Sequence, residues 1–93
     1  MKHFIEQNNQ LTATFQFVDF KQALAFINKV GEVAESQNHH PEIINIYNKV
    51  TFKLCTHDAG NIITEKDYLL ATEIEKIYSQ HFSPERAIYP NIG

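Results

Sequence analysis

The stretch that decides the fold runs Leu11-Thr12-Ala13-Thr14-Phe15-Gln16-Phe17-Val18-Asp19-Phe20-Lys21-Gln22-Ala23 and continues through Phe26, Ile27, Val30 and Ala34. Up to Phe17 the apolar side chains alternate with Thr12, Thr14 and Gln16, the period of a strand with one buried face. From Ala23 onward they recur every three or four residues, the period of an amphipathic helix. Asp19 stands at the switch, where its carboxylate can cap the free N–H groups of the first turn, and Gln22 occupies the capping-box position. Gly31 falls inside the helix at a cost of about 1 kcal/mol relative to Ala, which predicts that something packs closely there. The helix is expected to end within residues 36–38.

Working outward, residues 3–7 predict a strand joined to the next by Asn8-Asn9, both tolerant of the positive φ of a tight turn. Downstream, residues 43–47 and 50–56 predict a second hairpin turning at Asn48-Lys49, with Val50, Phe52 and Leu54 alternating with Thr51, Lys53 and Cys55. Asp58-Ala59-Gly60-Asn61 is turn chemistry. Thr64 is a good N-cap for a last helix that turns Leu70, Ile74, Ile77 and Tyr78 to the core. Pro84 and Pro90 bracket a tail, residues 83–93, with no periodicity. The order ββαββα predicts an α+β two-layer sandwich: a four-stranded antiparallel sheet with both helices on one face. The first and fourth strands are expected to be its open edges.

Ninety-three residues make a single domain spanning 1–93. So small a chain buries a modest share of its surface, so a homo-oligomer is expected. The one cysteine, Cys55, allows no intrachain disulfide and argues for a reducing, cytoplasmic setting. The first residues lack the apolar core of a signal peptide, and no apolar run is long enough to span a bilayer. A net charge of −3 with scattered basic residues argues against nucleic acid as a partner.

The chemistry-bearing residues gather in one region: Glu35, then His39-His40-Pro41, Tyr47, His57 and Asp67. Imidazole both gives and takes a proton near neutral pH, and a carboxylate beside it fixes its orientation. With the hairpin turning at Asn48-Lys49, Tyr47 faces Val50 and Ile43 faces Leu54. The ladder then brings His40 opposite His57, with Cβ atoms about 5 Å apart. Glu35, in the last turn of the first helix, is placed to partner His39, and Asp67 to partner His57. Each residue also has a plainer reading. Asp67 lies at the capping-box position behind Thr64, Glu35 can be a solvated helix residue, and His39-His40-Pro41 a polar loop. Tyr47, at core parity, reads as a buried ring. A zinc site on His39, His40 and His57 lacks a fourth ligand, and nothing near Cys55 marks it as an activated nucleophile. No metal or cofactor is therefore expected.

Glu35-Ser36-Gln37-Asn38-His39-His40-Pro41-Glu42, Asn45-Ile46-Tyr47-Asn48-Lys49-Val50 and Thr56-His57-Asp58 together resemble the pterin-4a-carbinolamine dehydratases. So do Phe15-Gln16-Phe17-Val18-Asp19-Phe20 upstream and Thr64-Glu65 with Asp67 and Leu70-Ala71 downstream. The resemblance implies an α+β fold assembled as homodimers or homotetramers and a pterin substrate. The implied reaction is loss of water from a 4a-hydroxytetrahydropterin to give the quinonoid dihydropterin, in support of tetrahydrobiopterin recycling. It implies that His39 and His57 transfer protons and that His40 joins them while also contacting the pterin. Glu35 and Asp67 would orient the imidazoles, and Pro41 and Ile43 would help bind substrate. Which histidine is acid and which base stays open. Family members usually carry Trp at the position of Ile43, and the turn at residues 59–63 is one residue longer than the common form. Two alternatives stand beside this reading: a non-catalytic dimerisation or regulatory module of the same fold, and action on another pterin such as a molybdopterin intermediate.

Overall fold

A computed structural model describes residues 1–82, so the aperiodic tail lies outside the described residues. Strand β1 (Ile5–Gln7) turns through Asn8 and Asn9, at φ 53° and 63°, into β2 (Gln10–Gln16). Helix α1 (Phe20–Gln37), strands β3 (Glu42–Ile46) and β4 (Lys49–Leu54), and helix α2 (Glu65–His81) follow. The order is ββαββα and every strand pair is antiparallel, as the sequence patterns predict.

The strand sequence across the sheet is β1-β2-β4-β3, so the open edges are β1 and β3 and not the fourth strand. Apolar demand explains the difference. Val50, Phe52 and Leu54 are all fully buried, and β4 achieves this by lying between β2 and β3. Leu11 pairs with Leu54, Ala13 with Phe52 and Phe15 with Val50, which collects the apolar positions on the face covered by the helices. Thr12, Thr14, Thr51 and Lys53 alternate onto the other, more exposed face, where the Thr14 and Thr51 hydroxyls bond at 2.8 Å.

The helices supply the second layer. Asp19 Oδ1 accepts from the Gln22 N–H at 2.8 Å, while the Gln22 side chain accepts from Val18 rather than from Asp19. Ala23, Phe26, Val30 and Ala34 then face the sheet. The core centres on Phe15, with ring centroids 5.2 Å from Phe26 and 4.8 Å from Tyr78. The Tyr78 hydroxyl donates to the Gln16 carbonyl, so this buried ring leaves no polar atom unpaired. A Cβ built on Gly31 meets nothing within 4 Å, so the close packing expected there is absent.

Three local expectations change. His3 lies before β1, where its ring Nδ1 sits 2.7 Å from a Glu75 carboxylate oxygen, and the Phe4 N–H donates to the same carboxylate. The β3–β4 turn falls at Tyr47-Asn48, one residue early, so that Ile43 pairs with Phe52 and Ile46 with Lys49. Asn side chains set this register: Asn45 donates to the carbonyls of Tyr47 and Lys49. Asn48 donates to the Phe17 carbonyl while its own carbonyl accepts the Phe17 N–H. Tyr47 is therefore a turn residue at φ 52° and 64% exposed, not a core ring. Finally, β4 ends at Leu54, and His57 opens a short 3-10 turn (His57–Ala59) instead of ending a strand.

Candidate functional site

The site forms where the end of α1, the end of β4 and the start of α2 converge. Helix α1 stops at Asn38, whose φ of 51° is left-handed; its N–H donates to Glu35 O and the next N–H, from His39, to Ala34 O. This pair of bonds closes the helix and reverses the chain. Asn tolerates the left-handed geometry better than any residue but Gly. The reversal carries His39 to the N-terminus of α2 and lets His40 fold back onto the last turn of α1.

The carboxylate pairing consequently differs from that expected. Asp67 holds His39: its Oδ1 lies 2.6 Å from His39 Nε2, with the carboxylate 0% and the ring 12% exposed. Glu35 holds His40, an exposed pair in contact through Glu35 Oε2 and His40 Nε2. The ladder that would bring His40 to His57 does not form, because the turn at Tyr47-Asn48 shifts the register and β4 ends before residue 57. His57 instead places Nδ1 2.6 Å from Asn61 Oδ1.

Asp67 is the best-held polar group of the site. Its Oδ2 accepts the Thr64 N–H and the Thr56 hydroxyl, each at 2.8 Å, and the Thr64 hydroxyl lies 2.6 Å from that of Thr56. The capping-box reading of Asp67 is thus correct, and the same side chain also serves the histidine. A carboxylate accepts and cannot donate. Its three donors are then the Thr64 N–H, the Thr56 O–H and His39 Nε2–H. The Thr56 oxygen, its hydrogen committed, accepts from Thr64. With Nε2 protonated, the neutral His39 ring has its lone pair on Nδ1. Asn61 Oδ1 is likewise only an acceptor, so His57 donates through Nδ1 and keeps its lone pair on Nε2.

Asn38, His39, His40, Thr56, His57, Asp58 and Lys66 line one cleft of about 300 Å³. The three histidines therefore share a cavity. Pro41 and Ile43 are not among its lining residues. Ile43 sits on edge strand β3, register-paired with buried Phe52 and hence on the helix side of the sheet, 39% exposed. Sequence reasoning missed Thr56, Asn61 and Lys66 as site residues. Thr56 had a signal, since it directly precedes His57, but its bond to Asp67 spans two elements. Among the described residues no group of three or more His, Cys, Asp or Glu is arranged to hold a metal ion.

Fold and cleft together define a class: a small α+β domain that sets carboxylate-backed imidazoles around a polar cavity, an arrangement suited to moving protons. Comparison with known proteins makes the class specific. The chain belongs to the family described as pterin 4 alpha carbinolamine dehydratase, whose family model matches residues 2–77. A protein of Sulfurisphaera tokodaii, provisionally named pterin-4-alpha-carbinolamine dehydratase, is 47% identical over 77 residues, covering 83% of this chain and 82% of that one. One of Chloroflexus aggregans with the same provisional name is 45% identical over 73 residues, 78% of this chain and 77% of the other. Among solved structures, a transcriptional coactivator/pterin dehydratase from Brucella melitensis superposes with a TM-score of 0.78 at 33% identity, covering 83% of each chain. A pterin dehydratase-like RuBisCO assembly factor of the alpha-carboxysome shares the fold, with a TM-score of 0.64 at 20% identity over 81% of this chain and 86% of that one.

Proposed function

We propose that this protein dehydrates 4a-hydroxytetrahydropterins to the quinonoid dihydropterin, using histidine acid–base catalysis. The observation that carries the reading is the pair His39 and His57. Both line one cleft, each with one ring nitrogen committed to an acceptor and the other left to meet a ligand. The reaction breaks the C4a–O bond and the N5–H bond and forms C4a=N5. One group must protonate the departing hydroxyl and another must take the N5 proton. His39, backed by the Asp67 carboxylate, is the better acceptor, because the carboxylate stabilises the imidazolium it becomes. His57, paired through Nδ1 with a neutral amide, takes a proton from solvent at Nε2 and delivers it to the hydroxyl, which leaves as water. Exchange with solvent resets both rings. His40, oriented by Glu35, and Lys66 supply donors for the polar edge of the pterin, and Pro41 and Ile43, outside the cleft's lining, contact the part of the substrate that extends beyond it.

The physiological role that fits this chemistry is tetrahydrobiopterin recycling in the cytoplasm, where the buried thiol of Cys55 stays reduced. The open edges of β1 and β3 give a homo-oligomer two places to assemble. A non-catalytic regulatory role is the second reading, favoured by Ile43 standing where a flat aromatic ring would stack. Titration with a stable planar dihydropterin, followed by the ring resonances of His39 and His57, tests the assignment. Saturable shifts in both rings are expected. A folded protein whose rings do not respond would overturn it.

A further inference from the structure

Among the described residues, Thr56 is the one that touches the machinery behind both rings. Its hydroxyl donates to Asp67 Oδ2, the carboxylate whose other oxygen holds His39. Its backbone carbonyl accepts the N–H groups of Ala59 and Asn61, at 3.2 and 3.0 Å, closing the turn that presents His57 and its partner Asn61. Its own N–H donates to Ile62 O at 2.8 Å, which fixes the far end of that turn. The residue is buried and polar, and its position between β4 and the 3-10 turn lets it face α2 with its side chain and the loop with its backbone.

We propose that Thr56 is a positioning residue for the proton-transfer pair, acting through its hydroxyl on the rotation of Asp67. Oδ2 has two donors, the Thr64 N–H and the Thr56 O–H. With His39 on Oδ1 these make three donors that set the plane of the carboxylate. Removing the Thr56 O–H leaves Oδ2 on the Thr64 N–H alone, so the plane can tilt about that bond. A fixed plane keeps Oδ1 on His39 Nε2 and so keeps the lone pair on Nδ1. The hydroxyl therefore acts on His39 alone, and the backbone carbonyl acts on His57 whatever side chain residue 56 carries.

That division makes the idea testable with Thr56→Val, which keeps the shape and backbone but removes the donor, and Thr56→Ser, which restores it. The kinetic part rests on the proposed dehydratase reading; the spectroscopic part does not. By ¹⁵N correlation spectra of the imidazoles, Thr56→Val should shift His39 away from the pure Nε2–H form and leave His57 as Nδ1–H. Thr56→Ser should restore the wild-type His39 signals. In turnover, Thr56→Val should lower kcat roughly 10–100-fold with little change in KM, the usual size for a residue holding a functional group from behind. Should the valine variant not fold, Thr56→Ala, which also removes the donor, serves the same comparison. Wild-type His39 signals in a folded Val or Ala variant would overturn the proposal. If the wild type shows no dehydratase activity but His39 shifts as described, the function assignment fails and the positioning role stands.

Discussion

Replacing Asp67 by Asn changes one oxygen into an amide nitrogen while keeping the side chain's shape, and the surrounding donors dictate how the amide must sit. The Thr64 N–H facing Oδ2 can only donate, so the remaining amide oxygen must take that place. The NH₂ group then faces His39 Nε2, which can accept only by giving up its hydrogen. The ring hydrogen moves to Nδ1, and the nitrogen left for substrate becomes a donor. Stability should fall by about 1–3 kcal/mol, for the loss of bonds to a charged acceptor at a helix N-terminus, so the variant stays folded. Catalysis should fall by the full contribution of a general base, roughly 10²–10⁴-fold in kcat. Urea unfolding measures the first, steady-state dehydration the second and imidazole ¹⁵N shifts the tautomer. A folded variant retaining kcat within about threefold, or retaining Nε2–H, would refute the reasoning.

Other consequences attach to particular residues. Burial works to raise the Glu75 pKa, but bonds from the His3 ring and from the His3 and Phe4 N–H groups, with the His3 charge, outweigh it and hold it below its ordinary value. A folded-state pKa below the unfolded one contributes stability above the unfolded pKa and loses it as pH falls through the folded value. The wild-type advantage over Glu75→Gln, about 1–2 kcal/mol in urea titrations near neutrality, should therefore vanish on acidification below the carboxylate range; a constant difference would contradict the pairing. Gly31→Ala should stabilise by about 1 kcal/mol, read as a raised thermal midpoint, because a Cβ there meets nothing; destabilisation would mean that another surface covers this part of α1. Tyr47→Asn should be neutral or stabilising by up to about 1 kcal/mol in chemical denaturation, since Asn suits the left-handed φ. A loss of roughly 3–5 kcal/mol, the size for a core aromatic, would show that the ring is buried.

Much of the fold was legible because it is written in periods. The alternation through Phe17, the switch at Asp19 and the Asn8-Asn9 turn are local signals, and each element appears where its pattern lies. Strand order was not local. It depended on how fully Val50, Phe52 and Leu54 are covered, which brought β4 inside the sheet. The second hairpin misled because Asn48-Lys49 reads as a turn, whereas the register is held by side-chain bonds from Asn45 and from Asn48 to Phe17, a long-range partner. That one-residue difference moved Tyr47 from core to surface and separated His40 from His57. At the site, the histidines and carboxylates were identifiable by type and spacing. Their pairing was not, since it is decided by the left-handed Asn38 that turns His39 toward α2 and returns His40 to Glu35. Asn61, which commits the far nitrogen of His57, carries no signature in a single chain, and the position of Thr56 before His57 does not reveal its bond across to Asp67.

The central claim is that His39 and His57 together dehydrate a 4a-hydroxytetrahydropterin. Its most direct test is the rate at which the protein consumes that compound, generated enzymatically in the same vessel, for the wild type and for His39→Ala and His57→Ala. The wild type should accelerate the reaction, with a loss of roughly 10²–10⁴-fold in each folded variant. A folded wild type that leaves the spontaneous rate unchanged, or a His39→Ala variant as fast as the parent, would contradict it.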